Sequence, residues 1–104
     1  MMDRLTIDAA EAAVHPNFPP SQAVLIVELD GPQVEVDELF ETVEAVCRTR
    51  GAETVEIARD NAARDRIWKG RKAAFAAMGR VSPNYYVQDG VVPRTGLPEV
   101  LRRI

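Results

Sequence analysis

The chain has 104 residues, of which 46% are hydrophobic and 28% charged, and its formal net charge at pH 7 is −3. This length fits one domain, and this composition is that of a folded globular protein rather than a disordered one. A negative net charge argues against a nucleic-acid binder, which would present a basic face, and against a polybasic membrane anchor.

The chain carries no recognisable signal for export or membrane insertion. Its longest apolar run, in AVLIVEL, stops at Glu28, far short of the roughly 20 residues that cross a bilayer. The first residues include acids where a signal peptide needs a basic and an apolar region. The single cysteine, Cys47, has no partner for an internal disulfide, so the sequence favours a cytoplasmic protein.

We treat residues 1–104 as one domain whose first part, residues 1–20, is a helix followed by a proline-rich linker. Leu5, Ala9 and Ala13 recur every four residues, which predicts a helix over residues 3–14. The stretch HPNFPP then ends it, because three prolines in five residues cannot lie inside a helix.

Residues 21–104 predict the order β-α-β-α-β-α. The first strand, QAVLIVELDG, is apolar on both faces, which is typical of a strand that is covered on both sides. A chain this short has few residues with which to cover both faces of the strand. We therefore expect protein outside these residues to pack on one face. The faces are Leu25, Val27 and Leu29 on one side and Val24 and Ile26 on the other.

The remaining elements follow from periodicity and from capping residues. The predicted elements are a helix from Pro32 or Asp37 to Arg50, a strand ETVEIAR, a helix from an Asp60 cap to near Gly79, a strand YYVQDGVVP and a helix beginning at a Thr95 cap. Three strands with helices between them predict an α+β fold of one sheet layer and one helix layer. The last helix has only begun at Ile104, which favours a piece of a larger protein.

One arginine lies where the pattern places a core residue. At about 100° per residue, Arg71 falls in the middle of an apolar helical stripe. Its stem could pack on Trp68 and Phe75 while the guanidinium reaches water or an acid. Alternatively, the stripe lines a pocket in which Arg71 binds a carboxylate through its planar fork.

The stretch YYVQDGVVPR is the second candidate for a functional segment. Asp89-Gly90 could simply form a turn or bulge, with the tyrosines half-buried. In the functional interpretation, Tyr86, Asp89 and Arg94 face a site and Asp89 pairs with Arg71. Outside this segment there is little for catalysis: His15 is the only histidine, and we predict neither a metal site nor a catalytic residue.

The second half of the chain closely resembles the C-terminal cap region of FAD-linked 2-hydroxyacid oxidoreductases, the family of the glycolate oxidase FAD-linked subunit and D-lactate dehydrogenase. The first half also looks like the segments that precede this region in the family. The resemblance is carried by Trp68 to Lys72, Tyr86 to Arg94, Leu97-Pro98-Glu99, MDRLTIDAAEAAV and AVLIVELDG.

The resemblance implies a ferredoxin-like partial sheet of about three strands in a truncated cap that lies over a flavin. FAD would be held mostly by an N-terminal domain of the parent protein, with none bound by this fragment. Arg71, in the Trp-x-x-Arg position, would hold the carboxylate of a small 2-hydroxy acid, with Asp89, Arg94 and Tyr86 as further substrate-binding candidates. In the parent, hydride would pass from the 2-hydroxy carbon to the flavin.

The sequence departs from the family in lacking its later His-x-Gly-Asp-Gly-Asn-x-His stretch. Because this stretch and the FAD-binding domain are both missing, we expect the fragment to be inactive alone. We also expect it to self-associate through the second apolar face of AVLIVEL, which would otherwise lack a cover. The alternative is a freestanding ferredoxin-like module that binds a small acid or dimerises without catalysis.

Overall fold

Four helices and one short two-stranded sheet make up the regular structure of the protein, a computed structural model that describes residues 1–104. The strands β1 (Met2–Asp3) and β2 (Ala23–Val24) pair antiparallel, with Met2 opposite Val24. Short 3₁₀ turns cover Met78–Arg80 and Arg94–Gly96. The helices are α1 (Arg4–Val14), α2 (Gln33–Thr49), α3 (Asn61–Ala77) and α4 (Leu97–Arg103). The chain is therefore an α+β protein.

The helices begin largely where the capping residues predict. The Asp3 carboxylate accepts a hydrogen bond from the Thr6 backbone N–H at 2.9 Å, and the Asp60 carboxylate accepts one from Ala63 at 2.7 Å. Each bond satisfies a backbone donor that has no partner within the helix. The predicted cap at Thr95 is wrong, because Thr95 lies inside a 3₁₀ turn and α4 starts after Gly96 without a side-chain cap.

The core lies between α1 and α3 and is small. Small side chains at the contact let the two helices approach closely, and the linker after α1 lies beside them. At Gly70, α3 lies directly against the linker, since a Cβ atom there would lie 2.6 Å from the Phe18 ring and from the Pro16 Cβ. The buried residues are Met2, Ile7, Ala9, Ala10, Pro16, Phe18, Gly70, Ala74 and Ala77.

Two polar contacts fix the linker to this core. The Glu11 carboxylate accepts a hydrogen bond from the Phe18 backbone N–H at 2.6 Å. Arg66 of α3 donates to the Pro16 carbonyl and also pairs with the Glu56 carboxylate. Through these bonds one arginine joins α3, the linker and the segment that follows α2.

The three-stranded sheet that the sequence predicts is not formed. Only Ala23–Val24 of the first predicted strand pairs, and its partner is β1 rather than another predicted strand. Residues 25–31, 53–59 and 83–92 make no backbone–backbone hydrogen bonds. The apolar patterns of these segments are those of strands, but a strand exists only where a neighbour accepts its hydrogen bonds, and none lies alongside them.

The alternation predicted for the first strand is nevertheless confirmed. Val24 and Ile26 pack against the core between α1 and α3, whereas Leu25 and Val27 point toward α2. The second face is only thinly covered, because Leu25 remains 66% exposed and α2 contains no buried residue. The apolar face of α2 is therefore only partly covered, with Leu39 and Val46 exposed.

We predict that Gly70→Ala destabilises the protein, although helix propensity alone favours alanine by about 1 kcal/mol. The added methyl group must displace Phe18 and Pro16, and such overpacking costs about 1–3 kcal/mol. Urea denaturation followed by circular dichroism measures the change in unfolding free energy. Gly96→Ala, where a Cβ meets nothing within 4 Å, is the matched control and should change stability little. A Gly70→Ala variant more stable than the parent would contradict the close approach.

We also predict a pH-dependent contribution from the cap of α1. Hydrogen bonds from the Thr6 side chain and backbone lower the pKa of the Asp3 carboxyl below its ordinary value. Its stabilisation is therefore fully present above the unfolded-state pKa of about 3.9 and is lost as pH falls through the lower folded-state pKa. Asp3→Asn keeps a capping oxygen but removes this charge. We therefore expect its unfolding free energy to be lower than that of the unmutated protein at pH 7, and this deficit should shrink below about pH 4. A deficit in unfolding free energy that is constant between pH 7 and pH 3 would contradict this.

Candidate functional site

The two halves of α3 differ in how their cations are neutralised. In the first half, Arg64 pairs with Glu28 at 2.5 Å and Arg66 pairs with Glu56. The hydrogen bond and charge of Glu28 raise the pKa of Arg64 above its ordinary value. In the second half, no carboxylate lies within ion-pair distance of the cationic side chains, which are Lys69, Arg71 and Lys72.

A large cleft lies beside the first half of α3, between segments 18–30 and 51–58. Its charged lining residues are four acids, Glu28, Asp30, Glu53 and Glu56, and one cation, Arg64, which is already paired with Glu28. A flavin dinucleotide carries a pyrophosphate, which needs cations or free backbone N–H groups at a helix start. The acidic lining of this cleft therefore disfavours the pyrophosphate of FAD, and the same excess of acids disfavours a 2-hydroxy acid there.

The cations of the second half are better placed to meet an anion. Arg71 is exposed and forms neither an ion pair nor a hydrogen bond, so its five N–H donors are free. The expectation that it lies in the middle of a buried stripe is wrong. The buried line of α3 runs through Gly70, Ala74 and Ala77, which places Arg71 on its flank.

One aromatic residue follows Arg71 on the helix, and a second aromatic ring packs against it. Phe75, one turn after Arg71, is 60% exposed. Its ring meets the ring of Tyr85 edge-on, with centroids 5.9 Å apart and an interplanar angle of 80°. Tyr85 also lies over Gly79, where a Cβ would be 4.0 Å from its Cε1 atom. This contact holds the segment after α3 against the helix, and we call Arg71, Phe75 and Tyr85 the cation–aromatic face.

The other predicted site residues are not brought onto this face by side-chain contacts. Asp89 is exposed and does not pair with Arg71. Tyr86 is 87% exposed, and Arg94 is exposed in a 3₁₀ turn with no ion pair. The pairing of Asp89 with Arg71 that the sequence suggests is therefore absent from this structure.

Sequence reasoning missed the contact between Phe75 and Tyr85. The sequence pattern places Phe75 on the apolar stripe of a helix and Tyr85 in a strand, and therefore in different layers. The spacing of Arg71, Phe75 and Gly79 at four-residue intervals predicts that they share one helical face, but no local pattern brings Tyr85 onto that face.

The chain belongs to the family of FAD-linked oxidases, C-terminal domain, whose family model matches residues 1–104. It is 48% identical over 105 residues to the glycolate oxidase subunit GlcD of Escherichia coli strain K12, and equally to that of strain CFT073 of serotype O6:H1. It is 29% identical over 104 residues to GlcD of Bacillus subtilis strain 168.

These matches cover 99–100% of this chain but only 21–22% of each relative, so the chain spans about a fifth of the length of the curated proteins it matches. No solved structure matches it significantly. No helix is both long and apolar enough to cross a membrane, and no cluster of His, Cys, Asp and Glu side chains is arranged to hold a metal ion.

Proposed function

We propose that this chain is the substrate-side cap of an FAD-dependent 2-hydroxyacid oxidoreductase similar to glycolate oxidase or D-lactate dehydrogenase. The family match over all 104 residues and the 48% identity to a glycolate oxidase subunit support this proposal. FAD would bind mostly to an N-terminal domain of the parent protein, which accords with an acidic cleft that does not suit the dinucleotide. The free thiol of Cys47 suits the cytoplasmic location that we propose.

The observation that carries the assignment of a site is the unpaired guanidinium of Arg71. The two arginines before it in α3 are both neutralised by glutamates, whereas Arg71 is exposed and without an acidic partner. A guanidinium binds a carboxylate through two parallel hydrogen bonds, which fixes the orientation of the acid as well as attracting it. Arg71 would therefore orient the carboxylate so that the hydroxyl-bearing carbon faces the flavin.

Asp89, Arg94 and Tyr86 are proposed to join this site when the cap meets the rest of the parent protein. All three are exposed and make no side-chain ion pair or hydrogen bond, so a new partner can engage them without breaking a contact. The same argument applies to the ferredoxin-like sheet. Residues 25–30, 53–59 and 85–92 have the strand pattern, and we propose that strands of the parent protein supply the hydrogen bonds that these segments lack.

We predict that Arg71→Lys in the full-length flavoprotein lowers kcat/KM for glycolate or D-lactate by about 10- to 1000-fold, because the ammonium loses the bidentate fork. Steady-state dye reduction measures the rate, and the flavin absorbance of the purified protein measures FAD content. FAD content should not change.

The matched control for this experiment is Lys72→Met, which removes the neighbouring exposed cation of α3. Its kcat/KM should stay within about threefold of the parent. Equal losses in both variants would indicate a general effect of positive charge, and unchanged kinetics in Arg71→Lys would rule out the assignment of Arg71.

A module that dimerises without catalysis remains the second candidate, favoured by the exposure of large apolar side chains. The exposed faces of α2 and of the segment before it include Leu25, Val34, Leu39 and Val46. Contiguous apolar patches on a small protein drive association. We propose that the 104-residue chain alone self-associates through these residues.

Multi-angle light scattering over a hundredfold range of concentration tests this self-association. The mass should rise above the 11.5 kDa of one chain as concentration increases. Leu39→Glu, which places a charge on the exposed face of α2, should lower the measured mass toward that of the monomer. A monomer at every concentration would contradict the prediction.

A further inference from the structure

The cation–aromatic face has a feature that binding of a carboxylate does not explain. Phe75 leaves more than half of its surface exposed, and its ring meets the ring of Tyr85 edge-on. An exposed phenylalanine is normally free to change rotamer, whereas an edge-to-face contact of this kind favours one position of the ring. An apolar ring therefore lies one helical turn after an unpaired cation, on the same side of α3.

The positions of the two side chains on α3 determine what this ring faces. Residues four apart on a helix have Cβ atoms about 5–6 Å apart, and helical side chains lean toward the N-terminus. The ring of Phe75 therefore covers the turn that carries Arg71. Tyr85 lies on the opposite side of the ring, over Gly79, where the absent side chain leaves room for it. Displacing Phe75 away from Arg71 would require Tyr85 to move as well.

The geometry points to Phe75 as a specificity-determining residue, held by Tyr85, that limits the size of the substituent on the 2-hydroxy carbon. This inference rests on the proposed function, because it takes Arg71 as the group that binds the substrate carboxylate. The hydroxyl-bearing carbon is one bond from that carboxylate, so its substituent lies within a few ångströms of the guanidinium. A hydrogen or a methyl group fits beside the ring, and a branched alkyl group collides with it.

The test uses the full-length flavoprotein with bound FAD and three 2-hydroxy acids. These are glycolate, which is achiral, D-lactate and D-2-hydroxy-4-methylpentanoate. These carry hydrogen, methyl and isobutyl at the same carbon. We compare kcat/KM for the isobutyl acid with kcat/KM for glycolate and expect Phe75→Ala to raise this ratio by at least about tenfold. One methylene in an apolar binding pocket changes such a ratio by about 10- to 200-fold. Tyr85→Ala, which releases the ring, should raise the ratio by a smaller factor.

Two further variants separate specificity from folding. Phe75→Leu keeps an apolar side chain on the helix and should give an intermediate ratio if Phe75→Ala does not fold. Phe40→Ala removes an aromatic ring from α2, which makes no close contact with α3, and should leave the ratio unchanged.

An unchanged ratio in Phe75→Ala and Phe75→Leu, with glycolate oxidation retained, would overturn the inference and leave the proposed function standing. A parent protein that prefers the isobutyl acid would also overturn it. A parent protein that oxidises none of the three acids would overturn the proposed function, and the inference with it.

Discussion

The packing of α3 on α1, and at Gly70 on the linker, is the contact on which the rest of the structure depends. A helix can approach another backbone this closely only where the side chains are very small, and here Gly70, Ala74 and Ala77 form that line. Phe18 fills the space above Gly70, and its backbone is held in turn by Glu11. Nearly all buried residues surround this contact, so the rotation of α3 about its axis is set here.

That rotation decides which side chains of α3 are available for binding. With the line of small residues turned inward, Arg64 and Arg66 reach glutamates on neighbouring segments, and Arg71 and Phe75 emerge on the flank. One helix thereby separates a neutralised, acidic region from a cationic one. An anion is attracted to the second region and repelled from the first, which favours the C-terminal half of α3 for the site that we propose.

The open segments around this core are informative about the parent fold. Segments 25–30 and 53–59 carry strand patterns and lie on either side of a cleft, without the hydrogen bonds that would make them strands. Apolar side chains in these segments and on α2 stay exposed, and we propose that the parent protein buries them. The match of the chain to about a fifth of each relative is consistent with this arrangement.

Local patterns in the sequence determined the helices, the cap at Asp60 and the alternation of Val24 and Ile26 against Leu25 and Val27, because each depends on neighbours within a few residues. The combination of motifs along the chain, among them Trp68 to Lys72, also sufficed to indicate the family. Strand pairing, the exposure of Arg71 and the contact of Phe75 with Tyr85 were decided only by the tertiary structure. Pairing of strands needs a partner from a distant part of the chain. Periodicity also could not show that α3 buries its glycine and alanine residues rather than its larger apolar ones.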